Sequence, residues 1–387
     1  MDFPGSVGRI KTRPSEKPKN QPTTTATHLS MEYKMKKSLL VLAVLGATAL
    51  SANAASVSLY GNLDAGFGYV HSKVDGEKTN TFKMLDGISS DNFIGLKGVE
   101  ELGHEMKAGF VLENGFNLSN GSLAENNKLF SREARLFVDG EFGELSFGRM
   151  GSLGNGNGSY NIAVKNIDAM NGRTISDNGF VTTPALNNAV AYKTPTIGGF
   201  TGFAQYSFGV VNQAENKHKD NDRFVAVGAT YSIANANLVA TFEQGLPGKN
   251  KGDAKKPLLV NFGGNMAFDN LTVFTGMQYG KHIDYNRLAN FDYAVKNPES
   301  HDAKVLAGTI GAKYAFDNNE LSAAGYLARH KDNGDKINVM GLAARYDYNL
   351  SSRTALYVGT DMARAKVKSS DEKNNMISVY SGIKHSF

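Results

Sequence analysis

The chain has 387 residues, with 42 Lys and Arg, 37 Asp and Glu, and no Cys. Its net charge of +5 would suit a nucleic-acid-binding protein, but residues 1–54 hold eight basic and three acidic residues and account for all of it. The later residues balance 34 positive against 34 negative charges. We therefore expect no nucleic-acid partner, no disulfide bond and no Cys-based metal site.

The first 54 residues divide into two parts. Residues 1–34 are polar and hold four of the nine prolines, so we interpret them as a spurious or disordered N-terminal extension, with translation expected to start at Met35. Residues 35–54 begin with Met35 and two lysines, continue with an apolar stretch and end in small residues. This is the pattern of a secretory signal peptide cleaved after Ala54. A buried N-terminal helix is the alternative. The apolar stretch is shorter than the ~20 residues that a membrane-spanning helix needs.

From residue 55 onward, apolar and polar residues alternate in segment after segment. The first segment, 57–70, places Val57 and Phe67 on one face and Asn62 and Asp64 on the other. A period of two indicates a β-strand with one apolar and one polar side. This reading predicts sixteen strands, at residues 57–70, 91–99, 105–117, 129–139, 144–150, 187–193, 200–209, 223–232, 237–244, 258–266, 271–280, 304–314, 320–329, 337–347, 354–364 and 376–387.

The connections between these strands alternate between long and short. Residues 71–90 and 151–186 are predicted to be long connections, whereas 100–104 and 140–143 are short. This alternation returns each strand antiparallel beside its predecessor and gathers the long loops at one rim. Segments of about ten residues with one apolar and one polar face are typical of transmembrane barrels, and about sixteen strands leave an aqueous channel. We predict an all-β, antiparallel up-and-down transmembrane β-barrel of 16 strands.

Motifs spread over the whole of residues 55–387 carry a family resemblance. They are VSLYGNLDAG at 57–66, GLKGVEELG at 95–103, FGELSFGR at 142–149, NAVAYKTP at 188–195 and GIKHSF at 382–387. Together they resemble the general bacterial porins, the sixteen-stranded trimeric channels of Gram-negative outer membranes. The resemblance implies a water-filled channel for passive diffusion of ions and small hydrophilic solutes, without catalysis and without a cofactor.

The same resemblance implies partners and a location. The chain is expected in the cell outer membrane as a homotrimer, in contact with outer-membrane lipid and lipopolysaccharide. Its last residue, Phe387, is expected to be the signal that the barrel-assembly machinery reads.

In this family the third loop folds into the lumen and narrows it, with acidic groups on the loop facing basic groups on the wall. The matching loop here is 151–186, which makes it the expected constriction loop. The sequence departs from the enteric members at Phe93, where they carry an arginine. The residues expected to line the constriction are Asp64, Lys97, Arg132 and Arg149 on the wall and Lys165, Asp168, Arg173 and Asp177 on the loop.

Strand parity does not decide whether two of these wall residues, Arg132 and Arg149, face the lumen or the lipid. If Leu136 faces lipid, then Glu133 and Arg135 face the lumen and Arg132 faces lipid. The resemblance points Arg132 inward, which requires a β-bulge near residue 131. Similarly, Arg149 falls on the same strand face as its apolar neighbours, which are expected to face lipid. It reaches the pore only if the chain bends inward there.

The sequence is also compatible with two alternative functions. A solute-specific channel would show saturable binding in its lumen, and a structural or adhesive barrel would bind host or phage through its long loops. The basic run 249–256 is most simply an exposed loop that can bind lipopolysaccharide phosphates. Histidines are scattered and no Gly-x-Ser-x-Gly occurs, so neither a metal site nor a hydrolase is expected.

Overall fold

The computed structural model describes residues 56–74, 76–174, 178–211, 218–249, 254–283, 302–332, 334–369 and 373–387. The expected extension and signal peptide, with Ala54, lie outside the described residues, and so does Asp177. No helix within the described ranges is long and apolar enough to cross a membrane.

The described residues form seventeen strand segments and one short helix. The strands are β1 (Ser56–Val74), β2 (Glu77–Asp86), β3 (Phe93–Gly103), β4 (Met106–Gly115), β5 (Glu133–Gly140), β6 (Gly143–Gly151), β7 (Ala185–Lys193), β8 (Phe200–Ser207), β9 (Arg223–Ile233), β10 (Ala236–Leu246), β11 (Leu258–Phe268), β12 (Leu271–Ile283), β13 (Ala303–Phe316), β14 (Asn319–Asp332), β15 (Asp335–Asn349), β16 (Thr354–Val367) and β17 (Lys373–Ser386). Helix α1 spans Ala163–Ile167, and a 3-10 turn spans His218–Asp220.

The strands form one antiparallel sheet that closes on itself. Successive strands pair with each other except β2 and β3, and β1 also pairs with β17 from Asn62 to Lys73. Strands β2 and β3 share one position, because β1 pairs with β3 through residues 56–62 and with β2 through residues 65–74. The seventeen segments therefore make the sixteen-stranded barrel that the sequence predicts.

Side chains alternate between an outer and an inner face of the barrel. Apolar side chains on the outer face, such as Leu136, Ile310 and Leu327, are more than half exposed, at 58%, 65% and 64%. On the inner face Glu133 and Arg135 are buried, which confirms the parity predicted for β5. Water-soluble proteins bury apolar side chains and expose polar ones, whereas a barrel in lipid with a polar interior requires the reverse.

The connections at one end of the barrel, called here the turn rim, are all short. The other end, the loop rim, carries the longer connections together with the short returns after β1 and β14. The sequence Ala-Phe-Asp-Asn occurs twice, at 267–270 and 315–318, and forms two of the tight turns. Asp269 and Asp317 adopt positive φ angles of 47° and 49° there. Aspartate tolerates this left-handed conformation better than most residues, which explains why the phrase recurs.

The prediction that 71–90 is a long connection was wrong. Strand β1 continues to Val74, and β2 runs back from Glu77 through a tight turn in which Gly76 has a φ of 87°. Residues 77–81 are polar, so they carry no apolar alternation that could have marked a strand. The return between Asp332 and Asp335 is likewise shorter than expected.

Residues 152–174 and 178–184, which lie between β6 and β7 and are called here the segment 152–184, lie against the inner face of the barrel. Leu153, Ile167 and Phe180 on this segment are buried in one apolar cluster with Phe224 and Tyr326 of the wall. The hydrophobic core of the molecule is therefore the contact between this segment and the wall.

Candidate functional site

Three arginines meet three carboxylates on the inner face, in what we call the arginine cluster: Arg132, Arg149 and Arg173 with Asp91, Glu113 and Glu125. Its centre is Asp91, which lies in the break between β2 and β3. The Asp91 carboxylate accepts hydrogen bonds from Arg132 Nη1, at 2.5 Å, and from Arg173 Nη1. Because Arg173 belongs to the segment 152–184, this carboxylate ties that segment to the wall.

Arg132 lies just before β5 begins, so strand parity does not govern its side chain. Its Nε donates to Glu113 at 3.2 Å, and its guanidinium lies 4.6 Å from the centre of the Phe93 ring. Residues 131 and 132 form a bend ahead of Glu133, the first residue of β5. The predicted strand 129–139 therefore began too early, and no β-bulge is needed to turn Arg132 inward.

Arg149 reaches the inner face through a local irregularity in β6. The pairing with β7 shifts register between Gly148 and Met150, and Gly148 has a φ of 128°. Only glycine adopts that conformation at low cost. The Arg149 side chain then donates to the carbonyl oxygen of Ser131 at 2.7 Å and to Glu125 at 2.7 Å.

The cluster borders a cavity of about 690 Å³. Four cations line it, namely Lys128 with the three arginines, against three acids, Asp86, Asp91 and Glu125. The lining therefore has one more positive than negative charge. Opposed charges around a passage with low-dielectric walls focus the local field and act on ions that pass.

Asp64 is fully buried and does not face the cavity, contrary to the expectation that it lines a constriction. Its carboxylate accepts hydrogen bonds from the backbone N–H groups of Ser89 and Ser90, both at 2.7 Å, and from the Tyr357 hydroxyl at 2.5 Å. These bonds hold the chain break between β2 and β3. Asp64 therefore positions Asp91 rather than contacting a solute.

Asp168 is also fully buried, which corrects the expectation that it faces the aperture. It follows α1 and accepts hydrogen bonds from the Tyr326 hydroxyl at 2.7 Å and the Gly172 N–H at 2.6 Å. Burial raises the pKa of this carboxyl above its usual value of 3.8. The residue anchors the segment 152–184 to β14.

The other predicted residues that the structure describes do not line this cavity. Lys97 is exposed on the inner face of β3, with its Nζ 4.9 Å from the centre of the Tyr60 ring. Lys165 is exposed on α1. Phe387 follows β17, and its N–H and C=O pair with Gly61, each at 3.1 Å. These backbone bonds help to close the barrel between its first and last strands.

Sequence reasoning missed the acids of the cluster. Asp91 lies at the start of a predicted strand, and Glu113 and Glu125 belong to no motif. Their role depends on contacts between residues 19 to 82 positions apart in the chain. No three His, Asp or Glu residues in the described part of the chain are grouped so as to hold a metal ion.

Comparison with known proteins adds independent findings. A family described as Gram-negative porin matches residues 41–368. An outer membrane porin protein of Bordetella pertussis is 29% identical over 91% of this chain and its own full length. Outer membrane porin protein 32 of Delftia acidovorans is 32% identical over 45% of this chain and half of its own length.

Solved structures agree on the fold. An anion-selective porin from Comamonas acidovorans superposes with a TM-score of 0.66 and 21% identity, over 86% of this chain and all of its own. The outer membrane channel DcaP of Acinetobacter baumannii superposes with a TM-score of 0.60 and 16% identity, over 87% and 99%.

Proposed function

Because the chain belongs to the Gram-negative porin family, we propose that the arginine cluster filters the ions and small hydrophilic solutes that diffuse through its lumen. The chain is an outer-membrane channel for passive solute diffusion, and the members of its family are channels rather than enzymes.

The bridge at Asp91 is the observation that carries the proposal. One carboxylate binds Arg132 of the wall and Arg173 of the segment 152–184. The Arg132 side chain is 14% exposed and that of Arg173 is 32% exposed, so both guanidinium groups remain accessible from the cavity. A fixed segment with accessible charge opposite a charged wall is what a constriction needs, and we assign that role to residues 152–184.

The excess of positive charge at the cavity supports a modest preference for anions. The similar porin from Comamonas acidovorans is described as anion-selective. In this chain the preference follows from four cations against three acids around the cavity. Partial neutralisation by the acids keeps the preference weak, because each arginine of the cluster already binds a carboxylate.

The first test measures single-channel current of the protein in a planar bilayer. We expect stable conductance that rises without saturation as the salt concentration increases, and a reversal potential in a KCl gradient that indicates mild anion preference. Arg132→Ala should move the reversal potential toward cation preference. The matched control is Arg353→Ala, which removes an exposed arginine from a tight turn at the opposite rim.

Other outcomes would favour the two alternatives. Saturating current with one class of solute would indicate a solute-specific channel. Absence of stable conductance from folded protein would favour a structural or adhesive barrel, and it would contradict the filter proposal. An equal effect of the Arg132 and Arg353 substitutions would show that the cluster does not control selectivity.

We further propose that the barrel assembles as a homotrimer after export. Exposed apolar side chains near the loop rim support an interface, since Phe82 is 72% and Leu129 67% exposed. Mass measurement in detergent tests the trimer.

N-terminal sequencing of protein taken from outer membranes tests the processing of the chain. We expect export by residues 35–54, cleavage after Ala54 and absence of residues 1–34 from the mature protein.

A further inference from the structure

Asparagine–glycine pairs are concentrated in the segment 152–184. The chain has seven such pairs, and four of them lie there, at 155–156, 157–158, 171–172 and 178–179. In such a pair the backbone nitrogen of the glycine can attack the side-chain carbonyl carbon of the asparagine, because glycine has no side chain to hinder the approach. Ammonia leaves, and water opens the resulting cyclic imide to aspartate or isoaspartate. Each event replaces a neutral side chain with an acid.

Two of the four pairs are held by hydrogen bonds that oppose this reaction. Asn155 donates from its side-chain amide to the carbonyl oxygen of Thr183 at 2.6 Å. Asn171 accepts a hydrogen bond from Lys313 Nζ at 2.7 Å on its side-chain oxygen, and the N–H of Gly172 donates to a carboxylate at 2.6 Å. These bonds must break before the side chain can turn toward the glycine nitrogen.

Three further pairs are shielded in other ways. Asn178 is 1% exposed and donates to the carbonyl oxygen of Thr174 at 2.7 Å, so little of it meets water. Outside the segment, the glycine N–H groups of the pairs 114–115 and 120–121 already act as hydrogen-bond donors, at 3.2 Å and 2.8 Å. The pair 333–334 lies partly outside the described residues.

Asn157 lacks all of these restraints. Its side chain is exposed and lines the cavity beside the arginine cluster. Neither its side-chain amide nor the N–H of Gly158 makes a hydrogen bond with another described residue. Gly158 has a φ of 84°, a conformation that glycine adopts at little cost. Among the described pairs, the asparagine that is free to turn toward its glycine therefore lies at the cavity.

We propose that Asn157 is a site of spontaneous deamidation. The Gly158 nitrogen loses its proton to water and bonds to the side-chain carbonyl carbon of Asn157, while the bond from that carbon to the amide nitrogen breaks and ammonia leaves. Addition of one water molecule to the cyclic imide then gives aspartate or isoaspartate at position 157. The solvent is the only co-reactant that these steps need.

Deamidation changes the charge at the filter. The cavity lining has four cations against three acids, and an acid at position 157 makes the balance four against four. This consequence rests on the proposed filter function, whereas the reaction itself depends only on local geometry. We expect the channel to lose its preference for anions as the protein ages, with the local anion concentration falling by up to about five-fold.

Peptide mapping of ageing protein tests the reaction. Folded protein in detergent is kept at neutral and at alkaline pH, and mass spectrometry of digests measures the conversion of asparagine at each pair. We expect conversion at Asn157 to be roughly ten-fold faster than at Asn155, because the hydrogen bonding that holds Asn155 must break first. Alkaline pH should accelerate it, since the glycine nitrogen then loses its proton more readily. In denaturant the two rates should become similar.

Bilayer recordings test the consequence separately. Asn157→Asp should move the reversal potential in a KCl gradient toward cation preference, and the native protein should approach that value on ageing. Asn157→Gln keeps the amide but forms a cyclic imide far more slowly, so its potential should stay constant. The matched control Asn318→Asp adds the same charge in the tight turn between β13 and β14 and should have no effect.

Equal rates of conversion at Asn157 and Asn155 in the folded protein would overturn the proposed site. An unchanged potential in Asn157→Asp would overturn its effect on selectivity, provided that Arg132→Ala moves the potential. If Arg132→Ala also leaves the potential unchanged, the filter function fails together with this consequence, and conversion at Asn157 is then decided by peptide mapping alone.

Discussion

The substitution Asp91→Asn isolates the carboxylate at the centre of the arginine cluster. It keeps the size of the side chain and removes its charge. The cavity lining changes from four cations against three acids to four against two. Arg132 and Arg173 lose the carboxylate that they share, so their charge acts more strongly on ions in the lumen.

The size of the effect follows from Coulomb's law. An ion that passes about 4 Å from one additional unit charge in water changes its energy by about 1 kcal/mol. That energy is a factor of about five in local concentration. The local concentration of anions rises and that of cations falls. The ratio of anion to cation permeability should therefore rise several-fold, with an upper limit of roughly 25-fold at low salt.

The assay is the reversal potential across a planar bilayer with a KCl gradient, repeated at low and high mean salt. Screening lengths fall from about 10 Å at 0.1 M to about 3 Å at 1 M, so the effect should shrink as salt rises. The matched control Asp317→Asn also removes one negative charge, but in a tight turn at the turn rim where asparagine accepts the same φ angle. An unchanged potential for Asp91→Asn, or an equal change for the control, would refute the reasoning.

Three further outcomes are expected. Arg173→Gln removes one cation and the tie between the segment 152–184 and Asp91, so anion preference should fall and conductance should rise; an unchanged bilayer recording would contradict this. Burial raises the pKa of Asp168 above 3.8, so the stability it contributes is present below that value and lost as pH rises through the raised pKa. Open-channel noise should then increase with pH in the native protein but not in Asp168→Asn, and parallel pH profiles would exclude this carboxyl as the cause. Deletion of Phe387 removes two backbone hydrogen bonds to Gly61 and should reduce the amount of heat-resistant barrel in outer membranes, whereas Phe387→Tyr should not.

Much of the barrel could be predicted from local pattern. Alternation in β5 correctly sent Glu133 and Arg135 inward, because a strand between lipid and a polar lumen leaves each residue only two possible environments. The strand 77–86 escaped prediction because residues 77–81 are polar and show no apolar alternation. Parity failed to predict the direction of Arg132 because this residue lies before its strand begins, and of Arg149 because it lies within a register shift.

The sequence by itself determined the class of protein, since the strand period and the family motifs are properties of neighbouring residues. It also showed that residues 55–387 carry equal numbers of positive and negative charges, so ion selectivity depends on where those charges lie. Only the tertiary structure decided which charges meet. Asp64 and Asp168 are buried and hold chain segments in place, and Asp91 is the shared partner of two arginines. Each of these roles depends on contacts between residues that are far apart in the chain. Closure of the barrel and packing of the segment 152–184 against its wall bring those residues together. A local sequence pattern does not encode such contacts between distant residues.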